Sequence, residues 1–247
     1  MSPSRLPVFD YDQVLPLGFQ FPARMTVLPL AAGKLALVSP IPIDDARAAA
    51  IAELGEVEFL IAPNLLHHLY LDAAIRRYPR ARVVAPGRLR GKKPELRVDV
   101  ALDPELDPAA LARAVPPELS AAVDVVAIGG VPGLDELVFY HRATRTLVVT
   151  DLVFHVTQPR GWMAHLTFFL VGCYRRLGSS RALRLLVKDR AAARASVERV
   201  LALPFETLVV AHGDVIEQEA QARLGQALAW LSPARGSAPI AASGAPR

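Results

Sequence analysis

The chain has 247 residues, a formal net charge of +4 at pH 7, 52% hydrophobic residues and 21% charged residues. That apolar fraction excludes a disordered or fibrous chain, and so small a charge excess does not by itself call for a nucleic-acid partner. A single cysteine, Cys173, excludes an internal disulfide and any cysteine-based zinc cluster, so a bound metal would have to use histidines and carboxylates.

Residues 1–23 contain prolines and little periodicity, and they read as an extended segment along the surface. The first residues lack a basic-then-apolar export pattern, so a cytoplasmic location is expected. Runs 25–31 and 34–39, joined around Gly33, read as a hairpin. Asp44 and Asp45 open an alanine-rich helix that Gly55 closes. VEFLIA at 57–62 is a buried strand, and Asn64 is placed to cap a helix reaching Tyr78 before Pro79. Further strands are expected at 82–85, 123–128, 137–141, 146–150 and 207–211, with helices at 187–203 and 216–231. The interleaving predicts one domain over 24–231, built of mixed sheets covered by helices. The Pro/Ala/Ser/Gly run 232–247 reads as a disordered tail.

Three of these strands end alike. VEFLIA runs into Pro63-Asn64-Leu65-Leu66-His67-His68, TLVVT into Asp151, and TLVVA into His212-Gly213-Asp214. Strand ends in α/β folds converge on a crevice where ligands bind, and two kinds of donor from separate segments suit a cysteine-free metal site. His67 and His68 are expected in the first turn of their helix, where the positive dipole end keeps imidazole neutral. Gly213 lets the backbone turn sharply beside His212, and Asp214 is a candidate to orient that ring. Each feature has an ordinary reading when taken singly, as a partly exposed polar pair, a turn former or a helix cap. Recurrence at three strand ends, in a chain with only three further histidines, favours a site. Of those three, His141 reads as surface or structural, while His155 and His165 lie on either side of Trp162 and could line a pocket wall.

The succession of these segments resembles the metallo-β-lactamase superfamily over about residues 25–231. Against that family's His-x-His-x-Asp-His motif, His68 takes the last histidine, His67 the aspartate position, and Pro63 and Leu65 the first two histidines. Gly129-Gly130-Val131-Pro132-Gly133 keeps the frame of a Gly-His-x-Pro-Gly motif with Gly130 replacing the histidine. Asp151 looks like the family's metal-bridging carboxylate and His212 like its terminal histidine. The resemblance implies an αββα sandwich of two mixed β-sheets with outer helices, and a dinuclear centre of which one half is lost. It implies one divalent ion per chain, zinc before iron or manganese, held by His67, His68, Asp151 and His212. Asp151 and His212 would then also be the catalytic residues of a hydrolase acting on an ester, lactone, amide or phosphodiester. The alternative is a non-catalytic member of the fold that binds a ligand or a partner.

Charge is segregated along the chain. Residues 76–97 carry nine basic side chains and one acid, 175–199 eight against two, and 99–136 eight acids against one arginine. The helical spacing of Arg184, Lys188, Arg194 and Arg199 fits an ordinary solvated face, and aromatics are only 6% of residues, so a small-molecule substrate is expected rather than nucleic acid. The run WMAHLTFFLVGCY at 162–174 is the most hydrophobic stretch, yet it is shorter than the ~20 residues that span a bilayer. It reads as a buried core helix with Cys173 an inert thiol; a lid, a homodimer contact and a membrane-surface patch are the alternatives.

Overall fold

The computed structural model describes residues 5–15 and 19–232. Two β-sheets lie face to face. The first has six strands in the order of the chain: β1 (Val8–Leu15), β2 (Phe19–Pro29), β3 (Lys34–Val38), β4 (Glu56–Ile61), β5 (Arg82–Pro86) and β6 (Val100–Leu102). Pairing is antiparallel from β1 to β3 and parallel from β3 to β6. The second has four strands, β7 (Val123–Ala127), β8 (Leu137–His141), β9 (Thr146–Val149) and β10 (Thr207–Val210), in the order β10-β9-β8-β7. Only β9 and β10 run parallel there.

Strand side chains alternate between faces, and here both faces are buried, which is why the strands read as unbroken apolar runs. Ala36 and Val38 of β3 point into the inter-sheet core with Phe59, Ile61, Phe139 and Val209. Leu35 and Leu37 point the other way, onto Ile51 of helix α1 (Asp45–Leu54) and Leu71 and Ala74 of α2 (Leu71–Arg77). The second sheet's outer face, with Val138, Leu147 and Val210, is covered by α8 (Arg190–Leu201) and α9 (Ala220–Leu228). The layers are helix, sheet, sheet, helix, as the resemblance implied. Short helices α3 (Leu89–Lys92), α4 (Pro108–Ala114) and α5 (Pro117–Ser120) fill the connection from β5 to β7.

Several boundaries differ from the sequence reading. Part of the expected surface segment 1–23 is strand β1, paired residue for residue with β2 from Val8↔Thr26 onward. Phe9 and Tyr11 face the outer core while Asp10 and Asp12 alternate with them, and those acids mask the apolar pattern. Strand β6 was also not expected. The helix expected at 187–203 is α8, shorter at both ends and capped by Asp189 on the amides of Ala191 and Ala192, and a short helix not expected from the sequence, α7 (Arg181–Leu186), precedes it. Apart from Ser232, the tail expected at 232–247 lies outside the described residues.

The 162–174 run forms α6 (Trp162–Val171), ended by left-handed Gly172. It is not a buried core helix. Ala164 and Phe168 face inward, while Trp162, Leu166, Phe169 and Leu170 are exposed. No described helix is long and apolar enough to cross a membrane. Cys173 is buried, and burial pushes its thiol pKa up to about 11. Alkylation by iodoacetamide at pH 8 is therefore expected to be at least about 100-fold slower than for a free thiol until denaturant is added; rapid labelling of the native protein would contradict this burial.

Candidate metal centre

Beyond β4 the chain does not enter a helix at Asn64. Residues 64–70 make successive turns and α2 begins only at Leu71. Asn64 accepts from the amides of Leu66 (2.8 Å) and His67 (2.9 Å), so it caps a turn rather than a helix. The dipole expected to act on His67 and His68 is therefore not there. The turn instead aims His67 inward, where its Nδ1 meets the Ser39 hydroxyl at 2.7 Å. His68 points elsewhere. It is partly exposed beside Lys92 and Lys93, and burial and those two charges lower its pKa.

His212 follows β10. Its Nδ1 donates to the Pro22 carbonyl at 2.7 Å, which orients the ring and turns Nε2 toward Asp151 and His67. That carbonyl is free because β3 pairs with β2 only from Thr26 to Pro29. Phe154 stacks on the imidazole at 4.9 Å between centroids, and Phe21 lies tilted against it at 4.5 Å. Asp214, expected to orient His212, instead bonds the hydroxyl and amide of Thr157. Gly213 is required by the fold. Its φ is +113°, and a Cβ there would lie 2.1 Å from the His155 carbonyl oxygen. Gly213→Ala is expected to cost about 3 kcal/mol or more, read as a fall in Tm; an unchanged Tm would contradict the backbone assigned here.

Asp151 follows β9, and Glu136 sets its backbone. The Glu136 carboxylate, fully buried just before β8, accepts from the amides of Thr150 (2.8 Å) and Asp151 (2.9 Å). Burial and the neighbouring Asp151 charge raise the Glu136 pKa to about 7. The Asp151 side chain accepts from Asn64 Nδ2 at 2.8 Å. Burial alone would raise the Asp151 pKa, but the two imidazoles outweigh it and hold this carboxyl well below the usual range. For His67 burial acts downward, and the charge and hydrogen bond of Asp151 reverse it to a raised pKa.

Three donor side chains meet as a result. His67 Nε2 and His212 Nε2 are 3.1 Å apart, His67 Nε2 and Asp151 Oδ2 3.2 Å, and His212 Nε2 and Asp151 Oδ1 3.3 Å. Bonds of ~2.0–2.1 Å at tetrahedral angles place ligand atoms ~3.3 Å apart, close to the spacing here between the two imidazole nitrogens and from each of them to one carboxylate oxygen. The donors are two imidazoles and a carboxylate, each steered by a neighbour. Among the described residues this is the group of His, Cys, Asp and Glu whose ligand atoms converge closely enough to hold an ion. Of the four residues expected from the sequence it contains His67, Asp151 and His212, and His68 stands outside it. The group opens into a cavity of about 340 Å³ that Phe21, Ile41, Leu66 and Tyr70 help to line.

The positions where the resembled family carries its other histidines serve the fold. The Pro63 carbonyl accepts from Leu137 and the Leu65 amide donates to Leu134, both as part of the buried frame. Gly130 (φ +74°) lies against the start of α8, where a Cβ would meet the Asp189 carbonyl oxygen at 2.1 Å. Sequence reading missed Ser39, Glu136, Phe21 and Phe154. Asn64 was found as a cap, but its bond to Asp151 was not.

This sheet order and layering define the metallo-β-lactamase fold. The structure is similar to a metallo-β-lactamase from Pontibacter korlensis (TM-score 0.58, 14% identity, 92% of this chain and 99% of that one). It is also similar to one from Erythrobacter litoralis (0.57, 12%, 94% and 90%) and to the Flv1 flavodiiron core from Synechocystis sp. PCC6803 (0.56, 16%, 92% and 60%). The chain belongs to the family described as a domain of unknown function, DUF4336, whose model matches residues 3–167 and so includes His67 and Asp151. No curated protein matches it significantly.

Proposed function

We propose that the protein is a mononuclear metal-dependent hydrolase whose ion is held by His67, Asp151 and His212. The observation that carries this reading is the convergence of three steered side chains, with 3.1–3.3 Å between the two imidazole nitrogens and from each nitrogen to one oxygen of the Asp151 carboxylate. Three protein ligands leave coordination open to water and substrate, the arrangement of catalytic rather than structural sites. Two imidazoles with one carboxylate suit zinc first and iron or manganese as alternatives. A bound divalent ion would lower the pKa of a coordinated water toward ~7 and polarise a carbonyl or phosphoryl oxygen.

The chain's own residues do the rest. Pro22 and Ser39 fix the two rings, Asn64 holds one oxygen of Asp151, and Glu136 anchors the backbone on either side of the Thr150–Asp151 peptide. Phe21 and Phe154 shield His212 from bulk water. The apolar part of the cavity lining favours a small ester, lactone, amide or phosphodiester with an apolar portion. With Pro63, Leu65 and Gly130 committed to the fold, one ion rather than two is proposed.

A panel of p-nitrophenyl esters, lactones and bis(p-nitrophenyl) phosphate, assayed with zinc-, iron- and manganese-loaded protein, tests the reading. Metal-dependent turnover that His67→Ala abolishes is expected. Tight binding of one ion with no hydrolysis of any class would turn the protein into a metal-binding scaffold, and no binding would overturn the reading altogether.

A further inference from the structure

The segment from residue 152 to residue 188 contains no acidic residue and six basic ones, Arg160, Arg175, Arg176, Arg181, Arg184 and Lys188. Helix α6 runs through its middle. Trp162 is 74% exposed, Phe169 66% and Leu170 55%, with Leu166 between them. The spacing i, i+4, i+7, i+8 puts these four on one face. Leu185 of α7 is a further exposed apolar side chain in the same segment, at 77%. The helix's other side is well anchored, since Phe168 stacks on Phe21 and Ala164 is buried. An apolar face on a firmly packed helix is a surface awaiting a partner rather than a frayed element.

The charges beside it say which partner. Arg176 reaches the Gly172 carbonyl and Arg181 the Leu170 carbonyl, which fixes both guanidinium groups at the C-terminal end of α6. Next to them a cavity of about 460 Å³ is lined by Arg175, Arg176, Arg184, Arg223 and His155, with no carboxylate in its wall. Among the described residues, none of Arg175, Arg176, Arg181, Arg184 and Arg223 has a carboxylate within ion-pair distance; Arg160 alone of the segment's arginines does, with Asp12. A second copy of the chain would bring the same uncompensated arginines against these, so charge opposes self-association. An apolar helix face bordered by unneutralised arginines is complementary to a surface with anionic headgroups over hydrocarbon.

We infer that the α6 face docks the protein peripherally on an anionic phospholipid membrane, with Trp162, Phe169 and Leu170 entering the interface and the arginine-lined cavity taking phosphate headgroups. This stands apart from the metal centre and needs no bound ion.

The test is co-sedimentation of the full chain with vesicles of phosphatidylcholine alone or with 30% phosphatidylglycerol, at about 50 mM salt. Binding to the anionic vesicles is expected to exceed binding to the neutral ones at least tenfold. Each arginine near the surface contributes about fivefold, so Arg176→Glu with Arg184→Glu should lower it by at least about tenfold. Trp162→Gln with Phe169→Gln should do the same, and both doubles alter exposed side chains, so an unchanged Tm certifies their fold. Tryptophan emission should shift to the blue on anionic vesicles and the shift should vanish in Trp162→Phe. Failure to bind anionic vesicles would overturn the inference, as would equal binding to neutral ones or indifference to both doubles. A concentration-dependent dimer that is lost in Trp162→Gln would also overturn it and assign the face to a second copy.

Discussion

Asp151→Ala is expected to weaken Zn²⁺ binding at least about 100-fold and to bring metal-dependent hydrolysis to background. It removes the carboxylate that touches both imidazoles, at 3.2 Å from His67 and 3.3 Å from His212, and leaves two neutral nitrogens facing each other. Supporting residues one bond removed from a metal commonly account for about 10–100-fold in affinity, so a direct donor must account for more. His68→Ala is the matching control. That ring lies toward Lys92 and Lys93, outside the converging group, so its loss should leave metal affinity within about threefold. Isothermal titration of the two variants separates the three-residue centre from the four-residue one implied by the resemblance. Equal losses in both would restore His68 as a ligand.

Glu136→Ala should be strongly destabilising although Glu136 is not a donor to the ion. It orphans the amides of Thr150 and Asp151 and opens a void where the side chain is fully buried. An unpartnered buried amide costs about 1–3 kcal/mol, and with the void the total is about 3–5 kcal/mol, or a fall in Tm of roughly 10 °C. Metal affinity should drop about tenfold as well, because the peptide that carries Asp151 loses its anchor. Glu136→Gln retains one acceptor oxygen and should lie between Ala and the native residue on both measures. A Glu136→Ala protein that melts with the native chain would remove Glu136 from the architecture of the site.

The layers of the fold were legible because a strand buried on both faces leaves an unbroken apolar run, and VEFLIA, TLVVT and TLVVA are such runs. The polar residues closing them were legible for the same reason, since polarity at the end of a buried strand stands out. β1 was not, because Asp10 and Asp12 alternate with Phe9 and Tyr11 on an edge strand. The orientation of His67 against His68 could not be read either. Consecutive residues diverge, and which one turns inward depends on whether Asn64 caps a helix or a turn. Glu136 left no signature, because its work is to receive two main-chain amides that come near it only in the folded chain. The burial expected for 162–174 failed through composition: a helix apolar on every side looks the same in sequence whether one face is covered or both.

His67, Asp151 and His212 are proposed to hold one ion. The most direct measurement is the metal content of protein purified without added metal, by plasma mass spectrometry, for the native chain and His212→Ala in parallel. About one zinc, iron or manganese ion is expected per native chain and almost none in the variant. No metal in the native chain, even after incubation with Zn²⁺, Fe²⁺ and Mn²⁺, would contradict the proposal.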